Sequence, residues 1–410
     1  VMAIDIPSGT IGDTGQIPGK GIKADICTTF GFAKPAHFLN PGKTNSGRLF
    51  VCDIGIPKTV LDQFEENINI LTKENIKDVA FRGAAWAVDN GYGVSEDLER
   101  TENGGCMTEA DPDKVSKHAK DRGAAQLGTL GAGNHFLEID VVDEISQPVI
   151  AQVFGLEKGS VVVQIHCGSR GYGHQICSDY LDVMQRAVRK FDIELPDRQL
   201  ACAPLASQEG KDYFAAMACA ANFAWANRQT IMHLVREAFG TVYRKSPEEL
   251  DMRLLYDVCH NIAKFEDHEV DGEVKRLCVH RKGATRSFPP GHPDIPSVYR
   301  ETGQPVLLPG DMGTNSHILA GTQKAMENTF GTTCHGAGRV LSRKAALRAT
   351  KDRDVAGELK NRGIQVRAKS RKTLGEEVSD AYKDIADVVN VVAGAGLAQK
   401  VARLRPLAVI

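Results

Sequence analysis

Residues 208–240 constrain the fold more than any other stretch of this chain. Apolar side chains recur there at the spacing of an α-helix, and alanine fills many of the other positions. A helix of this length extends for about 50 Å, so other elements must pack along most of its course. We expect its inward-facing side chains to be core: Phe214, Met217, Ala221, Ile231, Leu234 and Val235.

Shorter helices are predicted before this stretch. Thr72 is a suitable N-cap for a helix whose apolar positions run from Ile76 to Ala87 and which Gly91 ends. The pair Asp111–Pro112 opens another helix, with proline at the first helical position, and Gly123 closes it.

The first 57 residues have a different character, because they are rich in β-forming residues. The runs 1–9, 22–30 and 49–56 are strand-like and are bounded by glycine and proline. Residues 58–68 are polar and acidic, which is typical of a bridge between domains. We therefore predict an α+β chain with a short β-rich segment, a linker and one large domain over 69–410.

The composition excludes several classes of protein. Hydrophobic residues make up 42% and charged residues 25% of the 410 residues, as in soluble globular proteins. Ten cysteines without a CxxC pair indicate reduced thiols in the cytoplasm rather than a disulfide scaffold or a zinc ribbon. No 18-residue apolar run or basic N-terminal region occurs, so we expect no membrane span or signal peptide. Because Val1 already lies within a strand-like run, we expect a fragment at that end.

A histidine in a glycine-rich turn, residues 331–339, is the first candidate for chemistry. Glycines on both sides of His335 permit positive φ angles and close backbone approach, and Arg339 adds a bidentate phosphate donor. A neutral imidazole in such a turn could attack a nucleoside triphosphate and hold the nucleotide covalently. The alternative is a structural histidine beside a tight turn.

Three more histidines lie next to apolar, strand-like runs. His135 follows a glycine-rich turn, His166 ends the run from Val161, and His260 follows Tyr256–Cys259. Each alone is typical of a hydrogen-bonded structural histidine. Together with His335 they suit a divalent metal that takes imidazole ligands from separate strand ends. The neighbouring thiols point to the opposite faces of their strands, so we interpret them as packing residues: Cys167, Cys259 and Cys334.

Basic residues cluster after the histidine turn. Between Arg339 and Lys372 there are 12 Lys/Arg and 3 Asp/Glu, although the net charge of the whole chain is −2. A second basic group occupies residues 280–286. These groups are either solvated faces or a local surface that neutralises an RNA backbone.

From about residue 70 onward the chain resembles the RtcB-type RNA ligases. Long motifs carry the resemblance, in the same order over some 340 residues: Glu99–Cys106, Leu127–Glu138, His166–Gly171, Ala218–Arg228, His260–Lys264, His280–Arg286, Gly331–Arg339 and Val401–Pro406. Residues 1–57 instead resemble the C-terminal part of NAD(P)HX epimerases, through residues 3–9, 23–25, 34–35 and 51–57. In that family the aspartate matching Asp5 belongs to the active site.

The ligase resemblance implies a role for each candidate residue. His335 is the residue that becomes guanylylated from GTP, and His135, His166 and His260 are Mn²⁺ ligands. The positions that match GTP contacts are Asn134, His135, Phe136, Leu137, Glu138, His260, Asn261, Pro309, Gly310, Asp311, Met312, Ser316, His335, Gly336, Ala337, Gly338 and Tyr382. Phosphate or RNA contacts are expected from Arg170, Arg281 and Arg339.

The implied reaction is GTP- and Mn²⁺-dependent joining of an RNA 3′-phosphate to a 5′-hydroxyl, in tRNA splicing or RNA repair. A 2′,3′-cyclic phosphate end would first be opened to the 3′-phosphate. Expected partners are RNA with these ends, such as tRNA halves, and an activating protein. Two alternatives remain open at this point: a divalent-metal phosphodiesterase that uses the same histidines, and an inactive RNA-binding remnant.

The chain also departs from the family pattern. The family's Asp-x-x-Cys-Gly motif, which completes its two-metal site, does not occur, and Asp25–Cys27 has the wrong spacing. Asp311 stands where the family usually has serine, and the chain stops at Ile410, about one residue before a lysine that contacts guanine in the family. The resemblances predict an RtcB-like fold of mixed sheets with long helices, preceded by a fragment of a Rossmann-like epimerase sheet.

Overall fold

A computed structural model describes residues 1–57, 75–368 and 370–410. The chain forms two compact units, residues 1–70 and 71–410. The predicted N-cap Thr72 and the predicted linker 58–68 lie outside the described residues. None of the helices described is long and apolar enough to cross a membrane.

The first unit contains a small parallel sheet. Its strands are β1 (Met2–Ile4), β2 (Ile26–Phe30) and β3 (Arg48–Cys52), in that spatial order, and a short helix α1 (Gly42–Ser46) precedes β3. All three predicted strands are therefore present, although each is shorter than its predicted run. Strands β2 and β3 contain β-branched and aromatic residues, and glycine and proline lie in the segments around them.

The second unit mixes helices with antiparallel strands. Its helices are α2 (Asn75–Arg82), α3 (Ala84–Asp89), α4 (Ser95–Leu98), α5 (Lys117–Ala124), α6 (Pro148–Phe154), α7 (Arg170–Lys190), α8 (Gln208–Tyr243), α9 (Gln323–Thr329), α10 (Arg343–Ala349), α11 (Val355–Asn361), α12 (Arg371–Glu376) and α13 (Ile385–Gly394). Its strands are β4 (Phe136–Ile145), β5 (Val161–His166), β6 (Asn261–Val270), β7 (Glu273–Lys282), β8 (Ala284–Arg286), β9 (Pro305–Leu308), β10 (Ser316–Gly321), β11 (Thr332–Cys334), β12 (Gln365–Val366) and β13 (Ala398–Val409). The prediction of an α+β fold with mixed sheets and long helices is confirmed.

The second unit is built around one central sheet. Its strand order is β5-β4-β13-β10-β9, all antiparallel, and β12 adds a short parallel pairing to β13. Strands β6 and β7 form a separate hairpin, and β8 pairs with β11. The hairpin and the short β8–β11 pair bring the segments around residues 260 and 335 to one end of the central sheet.

The long predicted helix is α8, and its middle is the centre of the helical layer. Trp225 and Phe223 are fully buried there, and Tyr172 from α7 stacks on Phe223 with ring centroids 5.0 Å apart. Helices α2, α3, α5 and α7 contribute to the same cluster. Leu234 was expected to face inward but is 46% exposed, because the last turns of α8 extend beyond this cluster.

Two helix boundaries differ from the predictions. The helix expected from Asp111 to Gly123 is a 3₁₀ turn followed by α5, because Val115 is extended and Ser116 supplies a second N-cap to Ala119. The helix expected from Ile76 to Ala87 is split into α2 and α3 at Gly83, whose φ is +59°. A side chain there would meet the Gly105 carbonyl oxygen at 2.1 Å, so only glycine fits.

Candidate functional site

Three histidines that are distant in sequence meet at one end of the central sheet. One ring nitrogen from each of His166, His260 and His335 lies within 4.8 Å of the others. The rings of His260 and His335 stack with centroids 3.9 Å apart, and each lies 5.1 Å from the ring of His166. Such a group of imidazoles can hold a divalent transition metal.

The local structure explains why the three rings converge. His166 is the last residue of β5 and pairs with Phe136 of β4, whereas His260 directly precedes β6. His335 follows β11, and its backbone nitrogen donates to the Gly283 carbonyl at 3.3 Å. The three histidines therefore lie at the ends of three different strands, with His166 ending β5, His260 before β6 and His335 after β11.

The environment of the cluster keeps the imidazoles neutral. Burial lowers the pKa of His166 to about 3 and that of His260 to about 4. Burial, with His260 and His166 close by, lowers the pKa of His335 well below its ordinary 6.5. Among the described residues Nδ1 of His166 has no hydrogen-bond partner, and the ring of His335 lies beside the Leu307 backbone. Unprotonated imidazole nitrogens are suited to metal binding or to nucleophilic attack.

His135 is placed differently from the other predicted metal ligands. Its Nδ1 lies 3.1 Å from Nη1 of Arg170, and the structure does not include it in the three-histidine group. The preceding turn depends on Gly131, at φ +107°, where a Cβ would approach the Arg170 guanidinium at 2.1 Å. His335, predicted as the nucleophile, occupies the third place in the group instead.

The segments that match GTP contacts lie close to one another. Oγ of Ser316 donates to Glu138 at 3.1 Å and accepts from the Gly310 backbone at 2.9 Å. A Cβ on Gly336 would lie 3.9 Å from the Pro309 carbonyl oxygen. Phe136, Met312 and Tyr382 all pack against one further hydrophobic cluster. Gly338 has a φ of +77°, as expected of a glycine that shapes the turn after His335.

Two buried carboxyl groups lie side by side on β4. Glu138 and Asp140 are 1% and 0% exposed, and Nε2 of Gln164 donates to both, at 3.3 and 2.6 Å. Burial, followed by the neighbouring acid, raises the pKa of Glu138, and burial raises that of Asp140. The pair therefore retains a proton at pH values where an exposed carboxyl group has lost it.

This pair predicts a pH-dependent effect of Asp140→Asn. The unfolded chain releases both protons near the ordinary pKa values of 4.5 and 3.8, so the free energy of unfolding falls as the pH rises above them. Removing one acid should make this fall smaller. We expect the free energy of unfolding of Asp140→Asn to exceed that of the parent by about 1–2 kcal/mol at pH 8. At pH 5 we expect the two free energies to differ little.

Urea unfolding at the two pH values measures this effect. Glu144→Gln is the matched control, because its carboxyl group lies on the same strand and is half exposed. A control that changed the pH dependence as much as Asp140→Asn, or an Asp140→Asn chain with unchanged pH dependence, would contradict the assignment.

The predicted phosphate-binding arginines have different surroundings. Arg281 is 2% exposed and forms two hydrogen bonds of 2.8 Å to Glu266, so its guanidinium does not reach the surface. Arg339 donates to Glu377 at 2.7 Å and to the hydroxyl of Tyr382 at 2.8 Å. Arg170, beside His135, is the one of the three that contacts a predicted site histidine.

The residues at which this chain departs from the family pattern have contacts of their own. The oxygens of Asp311 accept from the Gly313 backbone and the Thr314 hydroxyl, each at 2.9 Å, so the carboxylate closes its own turn. Asp25 pairs with the N-terminal amine, and its side chain is 84% exposed. Cys27 is fully buried, with Sγ 3.6 Å from Nε2 of His37. Asp25 and Cys27 thus face different surroundings within the first unit.

Sequence reasoning missed the buried polar groups that support the histidines. Glu102 is fully buried; it accepts from the backbone of Cys259 at 3.0 Å and forms an ion pair with Lys264 at 2.9 Å. Arg286 of β8, the partner strand of β11, lies 2.8 Å from the same carboxylate. The local sequence contains no signal of this burial, since Glu102 stands in a polar run over Glu99–Gly105.

Comparison with known proteins finds a matching family and similar chains. The family described as "tRNA-splicing ligase RtcB" matches residues 14–410. Proteins named tRNA-splicing ligase RtcB are similar: one from Pyrococcus abyssi is 60% identical over 334 residues, one from Archaeoglobus fulgidus 56% over 339, and one from Methanococcus maripaludis 53% over 340.

The matched parts of these proteins differ in extent. The alignments cover 82%, 83% and 83% of this chain, and 36%, 70% and 71% of the three relatives respectively. The chain thus spans little more than a third of the Pyrococcus protein. The family match nevertheless includes nearly the whole chain, with all four predicted site histidines. The chain belongs to the RtcB family of tRNA-splicing ligases.

Proposed function

We propose that this chain is an RNA ligase that joins an RNA 3′-phosphate, or a 2′,3′-cyclic phosphate after opening, to a 5′-hydroxyl, with GTP and Mn²⁺. The observation that carries the proposal is His335, whose neutral ring stacks on His260 and lies beside His166. A tRNA-splicing role follows from the names of the relatives, and tRNA halves are the expected substrates.

The metal would be held by His166 and His260, with His135 as the third ligand once Arg170 has moved aside. The fit rests on the neutral imidazoles of His166 and His260, whose ligand nitrogens lie within 4.8 Å of each other; Nδ1 of His166 has no partner among the described residues. When bound, Mn²⁺ would polarise phosphoryl oxygens and stabilise the negative charge of the leaving group.

His335 supplies the nucleophile. Its lone pair would attack the α-phosphorus of GTP, so that a phosphorus–nitrogen bond forms and pyrophosphate leaves. The GMP then passes to the RNA 3′-phosphate, which frees the imidazole, and the RNA 5′-hydroxyl displaces GMP as the new phosphodiester forms. The burial of His335 keeps its ring unprotonated for the first step and limits the access of water.

The residues proposed to contact GTP lie in the same region as His335. Glu138 and Ser316 form one hydrogen-bonded pair on neighbouring parts of the site, and the turn around Asp311 forms another wall. Tyr382 is proposed to lie beside the guanine. In this arrangement Arg339 acts indirectly, because it holds the Tyr382 hydroxyl.

Incubation of the purified chain with labelled GTP and Mn²⁺ tests the proposal. We expect a covalent label that is stable to base and lost in acid, as is typical of a phosphoramidate, and no label from ATP. A phosphodiesterase that uses the same histidines would cleave its substrate without GTP, and an RNA-binding remnant would take up no label. Absence of label with all components present would therefore overturn the proposal.

Cellular location is a further part of the proposal. All ten cysteines lie within the described residues, and each is unpaired. Free thiols are typical of the reducing cytoplasm. We therefore propose a cytoplasmic enzyme.

For residues 1–57 we propose descent from the tail of an epimerase, without its activity. The parallel order of β1, β2 and β3 is what a Rossmann-like fragment requires, and Asp5 pairs with Lys34 at 2.5 Å. We expect no turnover of hydrated NADH, because the cofactor-binding half of that domain does not occur in this sequence. Measurable epimerisation by the purified chain that disappeared in an Asp5→Ala variant would contradict this.

A further inference from the structure

One buried arginine in the middle of α8 contacts two of the segments that carry the clustered histidines. Arg228 is 9% exposed, and its Nε donates to Oδ1 of Asp257 at 2.7 Å. Nη1 donates to the backbone carbonyl of Cys167 at 3.1 Å, and Nη2 approaches Sγ of Cys259 at 3.6 Å. Nη2 also lies 2.7 Å from Oδ1 of Asp257, so every nitrogen of this guanidinium has a partner, and the partners belong to three residues.

Two of these partners adjoin site histidines. Cys167 directly follows His166, and Cys259 directly precedes His260. The strands concerned, β5 and β6, belong to different sheets and share no backbone ladder. The guanidinium is thus a direct connection between the two histidine-bearing segments, whose rings lie 5.1 Å apart.

The residue before Arg228 makes a related set of contacts. Nδ2 of Asn227 donates to the Gly168 carbonyl at 3.1 Å and lies 3.2 Å from Sγ of Cys167. Its Oδ1 accepts from the Thr129 backbone at 3.2 Å, in the turn that leads to His135. Two consecutive side chains of one helix therefore hold three of the histidine-bearing segments.

We infer that Arg228 is a positioning residue that sets the spacing of His166 and His260 for metal binding. A planar guanidinium has donors in a fixed fork, so it can hold a carboxylate and a carbonyl at a defined separation. A lysine ammonium is a single point charge on a flexible stem, and it cannot bridge the same three partners. Groups that orient metal ligands typically change metal affinity by about 10- to 100-fold when they are replaced.

A purely structural role would have a different consequence, and α8 offers a matched control. Arg236 lies two turns further along, is 7% exposed, and binds both oxygens of Asp97 at 2.7 and 2.8 Å. Its remaining nitrogen donates to the Met252 carbonyl at 2.9 Å. None of its described partners adjoins a site histidine. Arg228→Lys and Arg236→Lys therefore each remove a buried fork from one helix, but only the first loosens the histidines.

The experiment compares Mn²⁺ affinity, which is read from the electron paramagnetic resonance signal of the free ion. The parent chain, Arg228→Lys and Arg236→Lys are titrated at a temperature where circular dichroism finds each of them folded. We expect Arg228→Lys to weaken binding by about 10- to 100-fold. We expect Arg236→Lys to stay within about twofold of the parent, although its melting temperature also falls.

A second variant covers the case in which Arg228→Lys does not fold. Asp257→Asn keeps the shape of the side chain and removes the charge that anchors Nε, so we expect a smaller loss of Mn²⁺ affinity in the same direction. The inference is overturned by an unchanged affinity in the folded Arg228 variant or, where that does not fold, in Asp257→Asn. An equal loss in Arg236→Lys, or a parent chain that binds no Mn²⁺, also overturns it.

The inference rests on the proposed metal-dependent function, but the two can fail separately. Labelling by GTP tests the proposed function, whereas metal affinity tests the positioning role. A parent chain that bound Mn²⁺ and took no label from GTP would refute the ligase proposal. The role of Arg228 would then still be decided by the comparison with Arg236→Lys.

Discussion

A chain in which alanine replaces His335 is expected to take up no GMP from GTP. The substitution removes the nucleophilic ring and leaves His166 and His260 in place as metal ligands. The other two imidazoles of the group serve as metal ligands, so neither can replace the missing nucleophile. We expect labelling to fall by at least about 100-fold, which is typical when a covalent nucleophile is lost.

His317→Ala is the control for this substitution. His317 lies on β10 directly after Ser316, and successive side chains of a strand point to opposite faces, so its ring faces away from the site. Labelling of the His317→Ala chain by GTP should match labelling of the parent chain. Persistent label in His335→Ala, or equal loss in both variants, would show that the nucleophile lies elsewhere.

Metal titration should give at most one tightly bound Mn²⁺ for each chain. The imidazoles are neutral, and Mn²⁺ lies low in the order of divalent affinities, so its binding depends on ligand number and on anionic ligands. Two cations about 3.5–4 Å apart would repel each other. The described three-histidine group contains no carboxylate or thiolate whose negative charge would offset this repulsion. We expect RNA joining by this chain to be much weaker than by a chain with the Asp-x-x-Cys motif.

Single substitutions separate the ligands from the bystanders. His166→Ala and His260→Ala should each weaken Mn²⁺ binding by at least about 100-fold, whereas Cys27→Ser should have no effect, because Cys27 is fully buried near His37. Isothermal titration calorimetry measures both the stoichiometry and the affinity. Two tight equivalents that fell to one in Cys27→Ser would contradict this prediction.

Helical periodicity and strand-end histidines were sufficient to predict much of this structure. The helix expected over 208–240 is Gln208–Tyr243, and His166 ends a strand as expected. Local patterns carry such information because each depends on residues close in sequence. The same reasoning failed at Ser116, where a second N-cap interrupts an otherwise helical pattern, and at Leu234, beyond the end of the core.

The site itself could be predicted only in outline. Sequence identified the histidines, but the grouping of His335 with His166 and His260 depends on how separate strands meet. The burial of Arg281 against Glu266 could not be predicted either, because the sequence of a charged run does not indicate whether a basic residue faces solvent or the core. Arg228 was seen only as the end of a motif, since its partners are 29 and 61 residues away along the chain.

Locating the GMP on the chain tests the central claim most directly. After reaction with GTP and Mn²⁺, the protein is digested at alkaline pH, which preserves a phosphoramidate, and the modified peptide is fragmented in a mass spectrometer. The account predicts a single guanylylated residue, His335, in the peptide that contains Gly336 and Ala337. Guanylylation of another residue, such as Lys282 at the end of β7, with His335 unmodified, would contradict it.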